Sequence, residues 1–203
     1  MLDRVRTLSG VEAKRASAFD AWPGDFNTSP GALDAWPGAS GDGLQLAERH
    51  GLAVIEIAAF GRGEADVQAL SSALGIALPA AGGSAETADI AALSIGPGRW
   101  LILASEAAAA SLPGLAADAA AMTDLTGGRT ILTLSGPRAV PTLMKGTAVD
   151  LAPAIFAPGG VAATALAHMP ATIWRREGGY DVIVPRSYAV SLLEWMLKAG
   201  ELA

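Results

Sequence analysis

The sequence predicts an α+β fold of two βαββ-type, ferredoxin-like halves with mostly antiparallel pairing, preceded by an extended N-terminal arm. Three observations lead to this reading. Short β-rich runs alternate with helical stretches from about residue 51 onward, the same order starts again near residue 126, and residues 21–43 are punctuated by Gly, Pro, Asp, Ser and Asn with almost no apolar period. The organisation read from these is an arm over residues 1–50 and a single α+β domain over 51–203, made of similar halves at 51–125 and 126–203.

In the first half, residues 52–58 (LAVIEIA) are a β-rich run, and residues 64–74 (EADVQALSSAL) put Val67, Leu70, Ala73 and Leu74 at helical spacing. The apolar runs at 91–95 and 99–104 are separated by Gly96-Pro97-Gly98, a turn sequence that makes them a hairpin. Residues 106–120 are rich in alanine and read as a helix that Pro113-Gly114 should break or kink, and residues 121–125 close the half as a strand. In the second half, residues 129–134 (RTILTL) read as a strand and 137–145 as a short helix with Pro137 suited to its first turn. Strands follow at 162–168, 171–175 and 180–184. Ser187 is expected to cap a last helix whose apolar side carries Val190, Leu193 and Leu197.

The composition narrows the chemistry. Of the 203 residues 51% are hydrophobic but only 5% aromatic, so the expected core is built from small aliphatic side chains. The most apolar window, 100–122, contains Ser105, Glu106, Ser111, Pro113, Gly114 and Asp118, each costly in a lipid-spanning helix. No membrane span is predicted, and Asp3, Arg4 and Arg6 are not followed by an apolar run of signal-peptide length, so the expected compartment is the cytoplasm. The absence of cysteine excludes disulfides, thiolate metal sites, iron–sulfur clusters and thiol nucleophiles. A formal charge of −6, with no stretch of Lys and Arg beside aromatic residues, argues against a nucleic-acid partner.

No motif supplies a cofactor loop. Gly61-Arg62-Gly63-Glu64-Ala65-Asp66 follows a strand and opens a helix, but Asp66 replaces the third glycine of a dinucleotide loop and would oppose a pyrophosphate. His50 and His168 have no partners at metal-ligand spacing, and His168 reads as a hydrogen-bonded or half-buried histidine at a turn. Asp124 and Asp150 read as caps more readily than as acids or bases. No catalytic, cofactor-binding or metal residue is therefore predicted; the candidates are contact residues.

The pentapeptide Asp-Ala-Trp-Pro-Gly occurs at 20–24 and again at 34–38, placing Trp22 and Trp36 in a stretch with no core of its own. Their rings either fold back on this chain or anchor the arm in a partner, where Trp is favoured as a hot spot. Arg186, at the exit of a strand before the last helix, is either a surface cation, a partner for the chain's own acids, or an interface arginine held by a partner carboxylate. Trp100 and Trp195 lie within regular elements and are expected in the core.

Several segments carry a resemblance in a fixed order. They are Thr123-Asp124-Leu125-Thr126-Gly127-Gly128-Arg129, Leu134-Ser135-Gly136-Pro137-Arg138, Lys145-Gly146-Thr147-Ala148-Val149-Asp150, Phe156-Ala157-Pro158-Gly159-Gly160, Thr164-Ala165-Leu166-Ala167-His168 and Val184-Pro185-Arg186-Ser187-Tyr188. Together they resemble the gamma subunit family of heterotetrameric sarcosine oxidase, with weaker similarity through Gly96-Pro97-Gly98-Arg99-Trp100. The resemblance implies a fold similar to the folate-binding domain of glycine-cleavage aminomethyltransferases. It implies a non-catalytic subunit with no cofactor of its own, with FAD, FMN, NAD and tetrahydrofolate on the large subunits of a complex that demethylates sarcosine or a related N-methyl amino acid. Two alternatives stand beside it: a stand-alone folate-binding, aminomethyltransferase-like one-carbon protein, and a pure assembly scaffold.

The two arm tryptophans separate their two readings. If they are partner anchors, replacing Trp22 and Trp36 with Ala weakens association with the large subunits by about 2 kcal/mol or more per ring and leaves the melting temperature unchanged. Lost melting temperature with retained affinity assigns both rings to this chain's own surface.

Overall fold

In the computed structural model, residues 17–19, 43–61, 63–116 and 119–201 are described. The strands predicted as continuous apolar runs are those whose two faces are both covered. In β7 (Arg129–Ser135), Leu132 and Leu134 face one way and Ile131 the other; in β10 (Gly179–Pro185), Tyr180, Val182 and Val184 oppose Ile183. Both sets are buried.

Ten strands form two five-stranded, wholly antiparallel sheets. One has the order β1 (Gln45–Glu48), β7, β10, β9 (Met169–Arg176), β8 (Val161–Leu166). The other has the order β3 (Ser84–Glu86), β4 (Ile90–Gly96), β5 (Arg99–Ala104), β2 (Ala53–Ala59), β6 (Ala120–Asp124). Val54, Leu93, Leu101 and Leu103 of the second sheet meet Ile131, Val161, Trp174 and Ile183 of the first in a shared core. The outer face of the second sheet is covered by α1 (Glu64–Leu74) and α2 (Glu106–Ala116), through Leu70, Leu74 and Leu112. The outer face of the first is covered by α3 (Ala139–Met144) and α4 (Ala189–Glu201), through Leu143, Leu192, Leu193 and Met196. The layers therefore run helix, sheet, sheet, helix, an α+β arrangement of mostly antiparallel strands as the sequence predicts.

Trp174 is the largest side chain that is wholly buried, and it lies in the shared core. Its indole Nε1 donates to Ser84 Oγ at 2.9 Å on β3, and that hydroxyl donates to the Gly159 carbonyl at 2.9 Å. Nearby, the Val161 N–H donates to the Gly82 carbonyl at 2.8 Å and Gly83 bridges Gly160, so one edge of each sheet is stitched to the other.

The sheets show a repeated topology. In the second sheet the first strand of the half, β2, lies between β5 and β6; in the first sheet β7 lies between β10 and β1. The strand β1 thus fills the place that β6 fills in its own half, although its residues fall inside the stretch read as an arm. That reading missed β1 because QLAE contains no β-branched or aromatic residue. Gly136 makes the junction possible. With φ +94 and the Gly43 carbonyl against its Cα, it has no room for a side chain, and Arg138 N–H donates to the same carbonyl at 3.0 Å.

Other differences have equally local causes. The predicted break at Pro113-Gly114 does not occur; α2 continues to Ala116, since a proline one turn from the end forfeits little of the ladder, and β6 begins at Ala120. Pro137 precedes α3 rather than opening it. Ser187 lies in a single 3₁₀ turn, Arg186–Tyr188, and does not cap α4. The buried side of α4 is Ala189, Leu192, Leu193, Met196 and Ala199, which leaves Val190 38% exposed. The strands expected at 162–168 and 171–175 are instead joined by a two-residue turn at Ala167-His168, where Leu166 opposes Met169. Both turn residues have positive φ, 50° and 66°. Such a conformation matches strand twist but costs an L-residue with a side chain roughly 1–2 kcal/mol.

Trp174→Ala is expected to destabilise the chain by about 3–5 kcal/mol, through lost burial and the cavity left between the sheets. Ser84→Ala, which strands the indole N–H, should cost about 1–3 kcal/mol. Urea denaturation of the two variants checks both magnitudes.

Candidate interface site at the N-terminal segment

Strand β1 ends on Glu48 and Arg49 follows it; the two consecutive charged side chains point in opposite directions, and both are engaged. Glu48, 6% exposed, turns toward the helical side; its carboxylate accepts from the Ser17 hydroxyl, from the Ala18 N–H at 3.2 Å and from His50 Nε2 at 3.1 Å. The Ser17 Oγ in turn accepts from the Phe19 N–H at 2.9 Å. Phe19, 1% exposed, enters the core beneath α3 and α4. Arg186 closes the arrangement from the turn after β10, donating from Nη2 to the Ser17 carbonyl at 2.8 Å. A three-residue segment is thereby held at its side chains and at its backbone. Burial pushes the Glu48 carboxyl up, but the hydrogen bonds from His50 and Ser17, the nearby His50 charge and the Ala18 N–H outweigh it, and the net shift is below the ordinary carboxyl value.

Arg49 turns the other way. Its Nη1 meets Asp181 Oδ2 at 2.6 Å, while Thr133 Oγ1 donates to Asp181 Oδ1 at 2.6 Å and Arg176 Nη1 lies 3.6 Å from Oδ2. Asp181 is wholly buried, so the carboxylate needs this company. Arg176 also lies over the Trp174 ring, 5.2 Å from its centroid. The three strands β1, β7 and β10 are tied by one carboxylate.

Arg186 is engaged by the chain's own Ser17, while Trp22 and Trp36 lie outside the described residues. Trp100 is 3% exposed and donates to the Pro79 carbonyl at 2.9 Å, and Trp195 is half-buried. Asp124 accepts from the Thr126 N–H at 2.8 Å and Asp150 from the Ala152 N–H at 2.9 Å, both in local turns. Asp66 accepts from the Gly63 N–H at 3.1 Å and packs against Gly61, so its carboxylate fills the loop a phosphate would need. Among the described residues no three His, Asp or Glu side chains gather as a metal site would require, and no helix is long and apolar enough to cross a membrane. Reasoning from sequence missed Phe19, Glu48 and Asp181. The one available signal was Asp181 interrupting the apolar run YDVIV, since a charge there must be partnered.

Two antiparallel sheets packed face to face between helices place the chain among proteins of aminomethyltransferase-like fold. Glycine cleavage system aminomethyltransferase T from Bartonella henselae superposes with a TM-score of 0.58 at 18% identity, over 76% of this chain and 45% of that one. The chain belongs to the sarcosine oxidase, gamma subunit family, whose pattern it matches over residues 61–201. Sarcosine oxidase subunit gamma of Corynebacterium sp. (strain U-96) is 32% identical over 137 residues, 64% of this chain and 67% of that protein. The subunit of the same name from Arthrobacter sp. is 32% identical over 143 residues, 68% and 70% of the two chains. Among solved structures, heterotetrameric sarcosine oxidase from Corynebacterium sp. U-96 in complex with pyrrole 2-carboxylate matches with a TM-score of 0.71 at 28% identity, over 78% of this chain and 84% of that one.

Glu48→Gln should lower stability at neutral pH by about 1–3 kcal/mol, since it removes a buried, charge-assisted acceptor. Because folding depresses this carboxyl, its contribution is present above the unfolded-state value, 4.5, and is lost as pH falls through the folded-state value. The gap between wild type and variant in thermal melts should therefore be wide at neutral pH and narrow progressively once the pH drops below that range.

Proposed function

We propose that this chain is the gamma subunit of a heterotetrameric, sarcosine oxidase-like flavoenzyme complex, contributing structure rather than redox chemistry. The observation that carries this is the joint match in sequence and fold to a chain of the solved heterotetrameric enzyme, 28% identical with a TM-score of 0.71. The charge chemistry is in accord: Glu48, Asp181 and Arg49 hold strand β1 and the segment before it, and Asp66 fills its own loop. The complex would oxidatively demethylate sarcosine or a related N-methyl amino acid, with FAD, FMN, NAD and tetrahydrofolate on the large subunits. The two halves from residue 51 onward, with β1 and the 17–19 segment completing the second, would act as one body in the cytoplasm. Trp22, Trp36 and Arg186 remain our candidates for contact with the large subunits, Arg186 by way of the segment it holds.

Coexpression with the large subunits tests the reading. The chain should copurify with them, the complex should show flavin absorbance and produce peroxide from sarcosine, and the isolated chain should be colourless and inactive. Failure to copurify, or stoichiometric flavin on the isolated chain, overturns it. Saturable tetrahydrofolate binding by the isolated chain would instead favour the stand-alone one-carbon protein.

A further inference from the structure

The β8–β9 turn holds its backbone against its preference while presenting a side chain that no other described residue engages. Ala167 and His168 are the only non-glycine residues of positive φ among the described residues. Their surroundings impose the conformation. The Ala167 N–H donates to the Gly146 carbonyl at 2.8 Å, and the Thr147 and Thr164 hydroxyls meet at 3.4 Å. Gly146 itself has no room for a side chain, because a Cβ there would stand 2.5 Å from the Trp195 ring. The turn is thus seated on the end of α3 and the flank of α4. Asn-Gly would take this geometry without strain, yet Ala-His occupies it.

The result is an exposed corner of defined chemistry. His168 projects into solvent and makes no hydrogen bond or ion pair with any described residue. Across the Gly146–Ala167 bond lie Lys145, exposed and donating to the Ala199 carbonyl at 2.7 Å, and Met144, 47% exposed. Neither Lys145 nor His168 has a carboxylate partner among the described residues, although the whole chain carries a formal charge of −6. A local concentration of donors and one apolar side chain on an otherwise acidic protein is complementary to an acidic surface. Strained residues persist where their surroundings over-determine them, and they gather at contact sites.

We propose that Met144, Lys145 and His168 form a contact surface for a carboxylate-bearing face of a large subunit, and that the strained turn is kept because it aims His168 at that face. The proposal rests on the assembly reading above.

Three full-length chains test it: wild type, Ala167→Asn/His168→Gly, and His168→Asn, which tolerates the left-handed backbone but lacks the imidazole. Each is melted alone and titrated against the large subunits. The double variant should melt several degrees higher and bind about tenfold or more weakly, and His168→Asn should be at least as stable as wild type and likewise bind about tenfold more weakly. A stabilised double variant with unchanged affinity overturns the proposal, as does a double variant that melts no higher than wild type. A wild-type chain that binds no large subunit overturns the assembly reading, and this one with it; the wild-type titration separates that failure from a failure of the turn.

Discussion

Both sheets are apolar on both faces, and that constraint governs the rest of the structure. A strand such as β10, with Tyr180, Val182 and Val184 on one side and Ile183 on the other, cannot leave either side in water. Helices cover the outer faces, and each inner face is covered by the other sheet. Trp174 lies where that requirement is most severe. It spans the gap between the sheets, and its single polar atom is satisfied by Ser84 across the gap, so its burial costs no stranded donor.

The same constraint explains why the chain before residue 51 is not merely an appendage. The first sheet needs a strand beside β7, and its own half does not supply one; β1 does, from the opposite end of the sequence. A four-residue strand at a sheet edge is weak by itself. It is secured by the two charges at its end, Glu48 gripping the 17–19 segment on one face and Arg49 gripping Asp181 on the other. Phe19 then adds apolar burial to the polar anchorage.

This allocation of charge bears on the role of the protein in its family. Asp181 is partnered by two arginines and a threonine hydroxyl, Glu48 by a histidine, a serine and a backbone amide. Both buried carboxylates are committed to holding strands and a chain segment in place. The fold it shares with aminomethyltransferase T is here tied together by these pairings, and it carries a strained turn at Ala167-His168 that leaves the histidine exposed.

The sequence by itself determined the regular elements and much of their order. Helix α1 and strand β5 begin and end at the predicted residues, because amphipathic spacing and continuous apolar runs are local signals that no distant contact has to supply. It also determined that Trp100 is buried and, through the ordered segments from Thr123 to Tyr188, that the chain resembles its family. What only the tertiary structure decided are the features that depend on residues far apart in the chain. QLAE becomes a strand because β7 offers it an open edge, Ala-His becomes a turn because β8 pairs with β9 up to Leu166–Met169 and Gly146 accepts from Ala167, and Glu48 and Asp181 can be buried because Ser17, His50, Arg49, Arg176 and Thr133 are brought to them. In each case the local preference is weak or opposed, and burial together with hydrogen bonding between distant segments outweighs it.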